Sequence, residues 1–156
     1  LGFSSAASDV YKRQDLTERQ FRNIFKKASN IKGDTSQILI ELLERRLDAT
    51  VYRMKFVPTI FSARQLVNHG HVKVNGKRVN IPSYSVSDGD EISIRDKSKE
   101  INLIVESVSS QEREIPEYLE VDVKELKGRF LRAPLIHDVP YPVTMEPNLV
   151  IEYYSR

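Results

Sequence analysis

Two sets of residues in this chain have types and spacings that could do chemistry. The first is cationic: Arg45, Arg46, Arg53, Arg64, Lys73, Lys77 and Arg78 fall within one short stretch. Such a set offers charge-assisted hydrogen bonds to a polyanion. The second is acidic: Glu112, Glu114, Glu117, Glu120 and Asp122 could in principle exchange protons. No nucleophile or glycine-rich loop accompanies them, so a solvated acidic face or a protein-contact surface is expected rather than acid–base catalysis. His69 and His71 stand two apart, the only other histidine is His137, and there is no cysteine. A structural or polyanion-contacting role is expected for them, with no metal and no cofactor. No P-loop, GxGxxG or GxSxG occurs, so the common nucleotide and acyl-transfer signatures are missing.

The elements that must position these groups belong to a chain of 156 residues, 40% hydrophobic and 29% charged. That length fits one domain with room for a second small lobe. No apolar run approaches the roughly 18 residues of a membrane helix, so the chain is not expected to span a bilayer. Neither a membrane partner nor a small-molecule substrate is expected. The net charge of +2 conceals an asymmetry. Residues 44–95 hold nine Lys and Arg against five Asp and Glu, whereas residues 96–156 hold eight against twelve. A basic middle beside an acidic last third implies a polyanion-binding face on one side of the molecule.

Residues 1–14, LGFSSAASDVYKRQ, lack both helical and strand periodicity and any secretory apolar stretch. They read as a non-native leader on an N-terminally truncated chain. Thr17-Glu18-Arg19-Gln20 is a capping box, with Leu16 and Phe21 at the staple positions, opening a helix to about Asn30 that stops at Gly33. Asp34 and Gln37 repeat the signature. Leu39, Leu43, Leu47 and Val51 then recur every four residues, which predicts one continuous helix ended by Pro58. On it Arg46 and Arg53 lie two turns apart along one face. Ser62-Ala63-Arg64-Gln65, stapled by Phe61 and Leu66, predicts a third, short helix to His69, with Arg64 and Gln65 in its phosphate-attracting first turn. After Gly70, the segments 71–74 and 77–80 flank Asn75-Gly76, a strong hairpin signal. Asp88-Gly89 precedes an alternating strand over 91–95. A helix is expected over 97–111, then short strands near 119–123, 128–131 and 149–154, with a proline-rich loop between Pro134 and Pro147.

A two-residue loop at Asn75-Gly76 would pair Lys73 with Arg78 and Val74 with Lys77. Val72, Val74 and Val79 then share one face, and His71, Lys73, Arg78 and Asn80 the other. Two cations directly opposite each other are unfavourable by a few tenths of a kcal/mol or more, a cost that a bound polyanion would reverse. Helix, turn, helix and basic hairpin in succession are more specific than any one of them.

In that succession Arg46-Leu47-Asp48, Ala63-Arg64-Gln65-Leu66-Val67, Gly70-His71-Val72-Lys73-Val74-Asn75-Gly76-Lys77 and Asp88-Gly89-Asp90-Glu91-Ile92 resemble the RNA-binding domain named after small-subunit ribosomal protein four. That domain also occurs in pseudouridine synthases, tyrosyl-tRNA synthetases and a ribosome-rescue heat-shock protein. The flanks, Glu18-Arg19-Gln20-Phe21-Arg22, Leu119-Glu120-Val121-Asp122 and Val150-Ile151-Glu152-Tyr153-Tyr154-Ser155-Arg156, look like the ribosomal family itself. Val57-Pro58-Thr59 and Asn80-Ile81-Pro82-Ser83-Tyr84 look like its alphaproteobacterial or mitochondrial-type branch.

The resemblance implies an α+β fold: an N-terminal helical lobe (15–43), a helix–turn–helix plus β-hairpin RNA-binding module (44–108), and a C-terminal segment of short strands packed with a helix (109–156). It implies a non-enzymatic constituent of the small ribosomal subunit, in the cytoplasm or an organelle, that binds small-subunit ribosomal RNA early in assembly of the subunit body. Contact with small-subunit ribosomal protein five, a role in translational accuracy and repression of its own messenger RNA come with it. The family's N-terminal extension, which often bears metal-binding cysteines, has no counterpart here. The expected RNA contacts are Arg45, Arg46, Arg53, Arg64, Gln65, His69, His71, Lys73, Asn75, Lys77 and Arg78, with Arg19, Gln20, Arg22, Lys26, Lys27 and Lys32 as further ones. The other readings are a stand-alone RNA chaperone or messenger repressor, and the docking domain of an RNA-modifying enzyme.

Overall fold

A computed structural model of the chain describes residues 18–109 and 115–135. The leader, the staple residue Leu16 and the cap Thr17 of the first helix, Glu112, Glu114, His137, nearly all of the expected loop between Pro134 and Pro147 and the expected strand near 149–154 lie outside the described residues. The described chain divides into two compact units, with boundaries after Glu44 and after Ala133.

In the first unit, α1 (Glu18–Ser29) and α2 (Thr35–Glu44) are amphipathic helices joined through Gly33. Phe21, Phe25 and Ala28 recur at helical spacing on α1 and are buried, as are Leu39, Ile40 and Leu43 on α2. Arg19, Gln20, Arg22, Lys26, Lys27 and Lys32 are exposed, as the same periodicity requires. The Gln37 side chain donates to Glu41 and to the carbonyl of Pro134.

The second unit opens with a departure from the expected single long helix. The helical ladder breaks at Arg45-Arg46, and α3 (Leu47–Arg53) begins afresh. Arg46 is extended, with φ −62° and ψ 140°, and bridges Ser85. The amides of Leu47 and Asp48 donate to the carbonyls of Tyr84 and Pro82, and that of Val86 to Arg45. A strand-like segment from forty residues downstream thus satisfies the backbone that a continuous helix would have used internally. All four residues of the stripe are nevertheless buried. Helix α3 stops at Met54, followed by Lys55 at φ 71°, several residues before Pro58.

Helix α4 (Ile60–Asn68) also starts earlier than expected. Its N-cap is Thr59, whose hydroxyl accepts from the Ser62 amide at 3.0 Å. Arg64 and Gln65 therefore stand beyond the first turn, and Phe61 is 55% exposed rather than a staple. The hairpin forms in the expected register: β1 (Val72–Val74) pairs with β2 (Lys77–Arg78), Lys73 opposite Arg78 and Val74 opposite Lys77. Asn75 and Gly76 take φ of 51° and 80°.

Strand β3 (Glu91–Ile94) pairs with β1, and β5 (Lys127–Phe130) joins β3 to β4 (Leu119–Asp122). The result, among the described residues, is one antiparallel sheet in the order β2-β1-β3-β5-β4. The C-terminal strands therefore continue the hairpin's own sheet. The expected helix over 97–111 is a 3-10 turn (Asp96–Ser98) followed by α5 (Asn102–Ser109). Val72, Val74, Ile92, Ile94 and Phe130 face a core shared with Val51, Met54, Val67, Ile104 and Tyr118. Gly128 lets the sheet approach α3: a Cβ there would stand 2.6 Å from Met54 Sδ.

Candidate nucleic-acid interface

The candidate cations do not all face outward. Arg46 Nε and Nη2 donate to both oxygens of Asp48 at 3.2 and 3.1 Å, and Arg64 Nε donates to Asp48 Oδ2 at 3.3 Å. Asp48 is 1% exposed and Arg46 8% exposed, so this is an internal ion triad fastening the start of α3 to α4. The Ala49 amide supplies a further donor to Asp48 at 2.7 Å. Arg45 reaches the Val86 carbonyl and Asp88, at 3.0 and 2.8 Å, and its guanidinium lies 4.9 Å from the Phe130 ring centroid. Arg53 lies over the Tyr52 ring at 5.5 Å. Arg45, Arg46 and Arg64 therefore hold the scaffold together, and the expected alignment of Arg46 with Arg53 on one helix face does not form.

Asn75 is likewise committed. Its side chain donates to Asp90 and accepts from the Glu91 amide, each at 2.9 Å, which bolts the hairpin tip to β3. The residues left outward are concentrated on the hairpin and its surroundings. Lys77 and Arg78 are exposed, Lys73 is half-buried, and Gln65 and His69 are exposed on and just after α4. The Arg78 guanidinium packs against Gly70, where a Cβ would meet it at 2.5 Å. His69 and His71 meet edge to face, centroids 6.3 Å apart.

His71 Nδ1 and Ser98 Oγ share a hydrogen bond of 2.6 Å. Partial burial holds the His71 pKa below its ordinary value, and the charges of His69, Arg95 and Arg78 push it the same way. Arg95, whose amide donates to the His71 carbonyl, thus belongs to the cluster although sequence reasoning passed it over. Its alternation with Ile92 and Ile94 places it opposite the core; that it lies beside His71 depends on a strand register no local pattern reveals. Among the described residues, no three of His, Cys, Asp and Glu come together in a way that could hold a metal ion, and no helix is long and apolar enough to cross a membrane.

The geometry can thus offer an exposed set of cations and imidazoles, on a hairpin fastened at its tip to β3, to an anionic backbone. Glu120 and Asp122 are exposed on β4, with Glu117 exposed just before it. Residues 45–92 match the family described as the S4 domain. The chain is 62% identical over 142 residues to the small ribosomal subunit protein uS4 of Ruegeria sp. (strain TM1040). It is 61% identical to that of Ruegeria pomeroyi and 60% identical to that of Paracoccus denitrificans over the same length. Each alignment covers 91% of this chain and 69% of the relative.

Proposed function

The chain belongs to the family of small ribosomal subunit protein uS4, and from that premise we propose that it is a structural, RNA-binding constituent of the small ribosomal subunit. The observation that carries this reading is the extent of the likeness, 142 residues, far past the 45–92 stretch of the RNA-binding domain. An RNA-modifying enzyme that shares only the docking domain would lose similarity beyond it. The role is non-catalytic and its setting is the cytoplasmic ribosome.

The ligand is small-subunit ribosomal RNA, bound early in assembly of the subunit body. Lys73, Lys77, Arg78, His69, His71 and Gln65 provide the direct contacts of the second unit. Arg45, Arg46, Arg64 and Asn75 act through them as positioning residues. Arg53 and the cations of the first unit, Arg19, Arg22, Lys26, Lys27 and Lys32, extend the contact with Gln20. Small-subunit ribosomal protein five as a neighbour, an effect on translational accuracy and control of its own messenger belong to the same proposal through family membership. The test is sedimentation of the tagged chain with ribosomal particles. It should travel with the small subunit and bind deproteinised small-subunit RNA; migration with free messenger only would favour a stand-alone repressor.

A further inference from the structure

Strand register sets five side chains in a line across the polar face of the sheet. Arg78 on β2 is opposite Lys73 on β1, Lys73 opposite Ser93 on β3, Ser93 opposite Lys127 on β5, and Lys127 opposite Asp122 on β4. The alternate positions Val72, Val74, Ile92, Ile94 and Gly128 are buried, so the row points away from the core. Neighbouring strands are about 4.8 Å apart, which puts the Lys73 and Lys127 backbones about 10 Å from each other with the Ser93 hydroxyl between them. None of Arg78, Lys73 and Lys127 has an ion-pair partner among the described residues. Arg78 and Lys73, directly opposite each other, raise one another's energy unless an anion lies over them.

A second observation is an exposed carboxylate that feels the field of the row. Asp96, at the start of the 3-10 turn, pairs with Lys99 at 3.0 Å, and its carboxyl is held below its ordinary range by Lys99 first and then by Lys73 and Lys127. Lys99 is the ion-pair partner of this carboxylate, whose side chain is 89% exposed, and Lys73 and Lys127 act on it through their field alone. The borders of the row are acidic. Asp122 closes its far end, and the neighbouring cross-strand row holds Glu91, Arg129 and Glu120, with Glu91 and Arg129 paired at 3.7 Å.

We propose that the row Arg78–Lys73–Ser93–Lys127 is a phosphate track, along which the RNA backbone crosses the strands and reaches β5, outside the 45–92 stretch. It rests on the RNA-binding reading above and extends its footprint. Lysine point charges and a serine hydroxyl suit phosphate oxygens, and no aromatic ring stands in the row for a base to stack on. Asp96 lies within the field of these lysines, so its negative charge opposes a phosphate on the row.

The experiment is filter binding of the full chain to small-subunit ribosomal RNA over a salt series, with Lys127→Ala, Lys127→Glu, Arg78→Ala and Asp96→Asn. Lys127 is exposed, and a thermal melt of each variant confirms that the fold is kept. Lys127→Ala should weaken binding several-fold and lower the slope of log affinity against log salt by roughly 1. Lys127→Glu should weaken it more than tenfold, and Asp96→Asn should strengthen it. If Arg78→Ala loses affinity while Lys127→Glu binds as the parent does, the track ends at the hairpin and the proposal is wrong, with RNA binding intact. If Lys127→Glu spares RNA affinity but abolishes sedimentation with the small subunit, the row serves an acidic protein segment and the proposal is equally wrong. A parent chain that binds no ribosomal RNA overturns both readings.

Discussion

Asp48 illustrates at the single-residue scale why charge type alone does not identify a contact. Three donors converge on its buried carboxylate, and two of them, Arg46 and Arg64, would otherwise count as RNA-facing cations. Removing one partner of a buried pair leaves the other charge uncompensated, at a cost of about 3–5 kcal/mol. Asp48→Ala should therefore lower stability by about that much in urea titration, whereas Arg64→Ala, which leaves Asp48 paired with Arg46, should cost less. Equal losses would show that the triad is not centred on Asp48. His71 has the opposite electrostatic problem. Its pKa is depressed in the folded chain from the ordinary value of 6.5, so just below that pH the unfolded state binds more protons than the folded state. Stability then rises with pH through this window and falls on acidification below about 6.5. His71→Gln should flatten the stability profile between about pH 6.5 and the onset of carboxylate titration; an unchanged profile would place the titration elsewhere. His69 faces the same cluster, so the comparison needs His69→Gln as its partner.

At the scale of elements, the hairpin is the piece whose geometry is most local. Gly76 has φ +80° and open space where a Cβ would be, so Gly76→Val suffers no clash, only a conformational cost of about 1–2 kcal/mol. Because β1 remains paired with β3, the sheet should survive and the loss should fall on Lys73, Lys77 and Arg78. RNA affinity should drop more than stability does; parallel losses on filter binding and urea titration would make the hairpin a folding element first. Such turns were legible in the sequence because Asn75-Gly76 sits between alternating residues and needs no distant partner. The alternation of Glu91–Ile94 was legible for the same reason. The break at Arg45-Arg46 was not, because the four-residue apolar stripe continues through it and the competing hydrogen bonds come from Pro82, Tyr84 and Ser85. Thr59 is hard to single out as a cap because Ser62-Ala63-Arg64-Gln65 also fits a capping box one turn later. The hairpin cations of the candidate site could be read from spacing. Arg95 and Lys127 could not, since only strand register brings them beside His71 and Ser93.

For the whole molecule, a basic central segment and an acidic last third were visible as charge counts, yet counts overstate what an RNA backbone meets. Of the seven cations first singled out, Arg45, Arg46 and Arg64 have carboxylate partners within the fold. Each phosphate contact releases condensed counterions and contributes about 0.7–0.9 to the slope of log affinity against log salt. A cation already paired with a carboxylate of the fold, the buried Asp48 or the exposed Asp88, releases fewer, because it contributes less field at the phosphate. The slope should therefore follow exposed cations, not total ones. Lys73, Lys77, Arg78 and Lys127 give about −3 to −4, and contacts from the first unit make it steeper. Replacing Lys77 or Arg78 by Gln should reduce the magnitude by roughly 1 while leaving the melting temperature near that of the parent. Arg45→Gln should do the reverse, lowering the melting temperature through the lost Val86, Asp88 and Phe130 contacts while the slope stays put. Binding measured at several salt concentrations, with melts of the same samples, separates the two classes. If Arg45→Gln changes the slope as much as Arg78→Gln does, Arg45 leaves Asp88 for a phosphate in the complex, and the division into scaffold cations and contact cations fails.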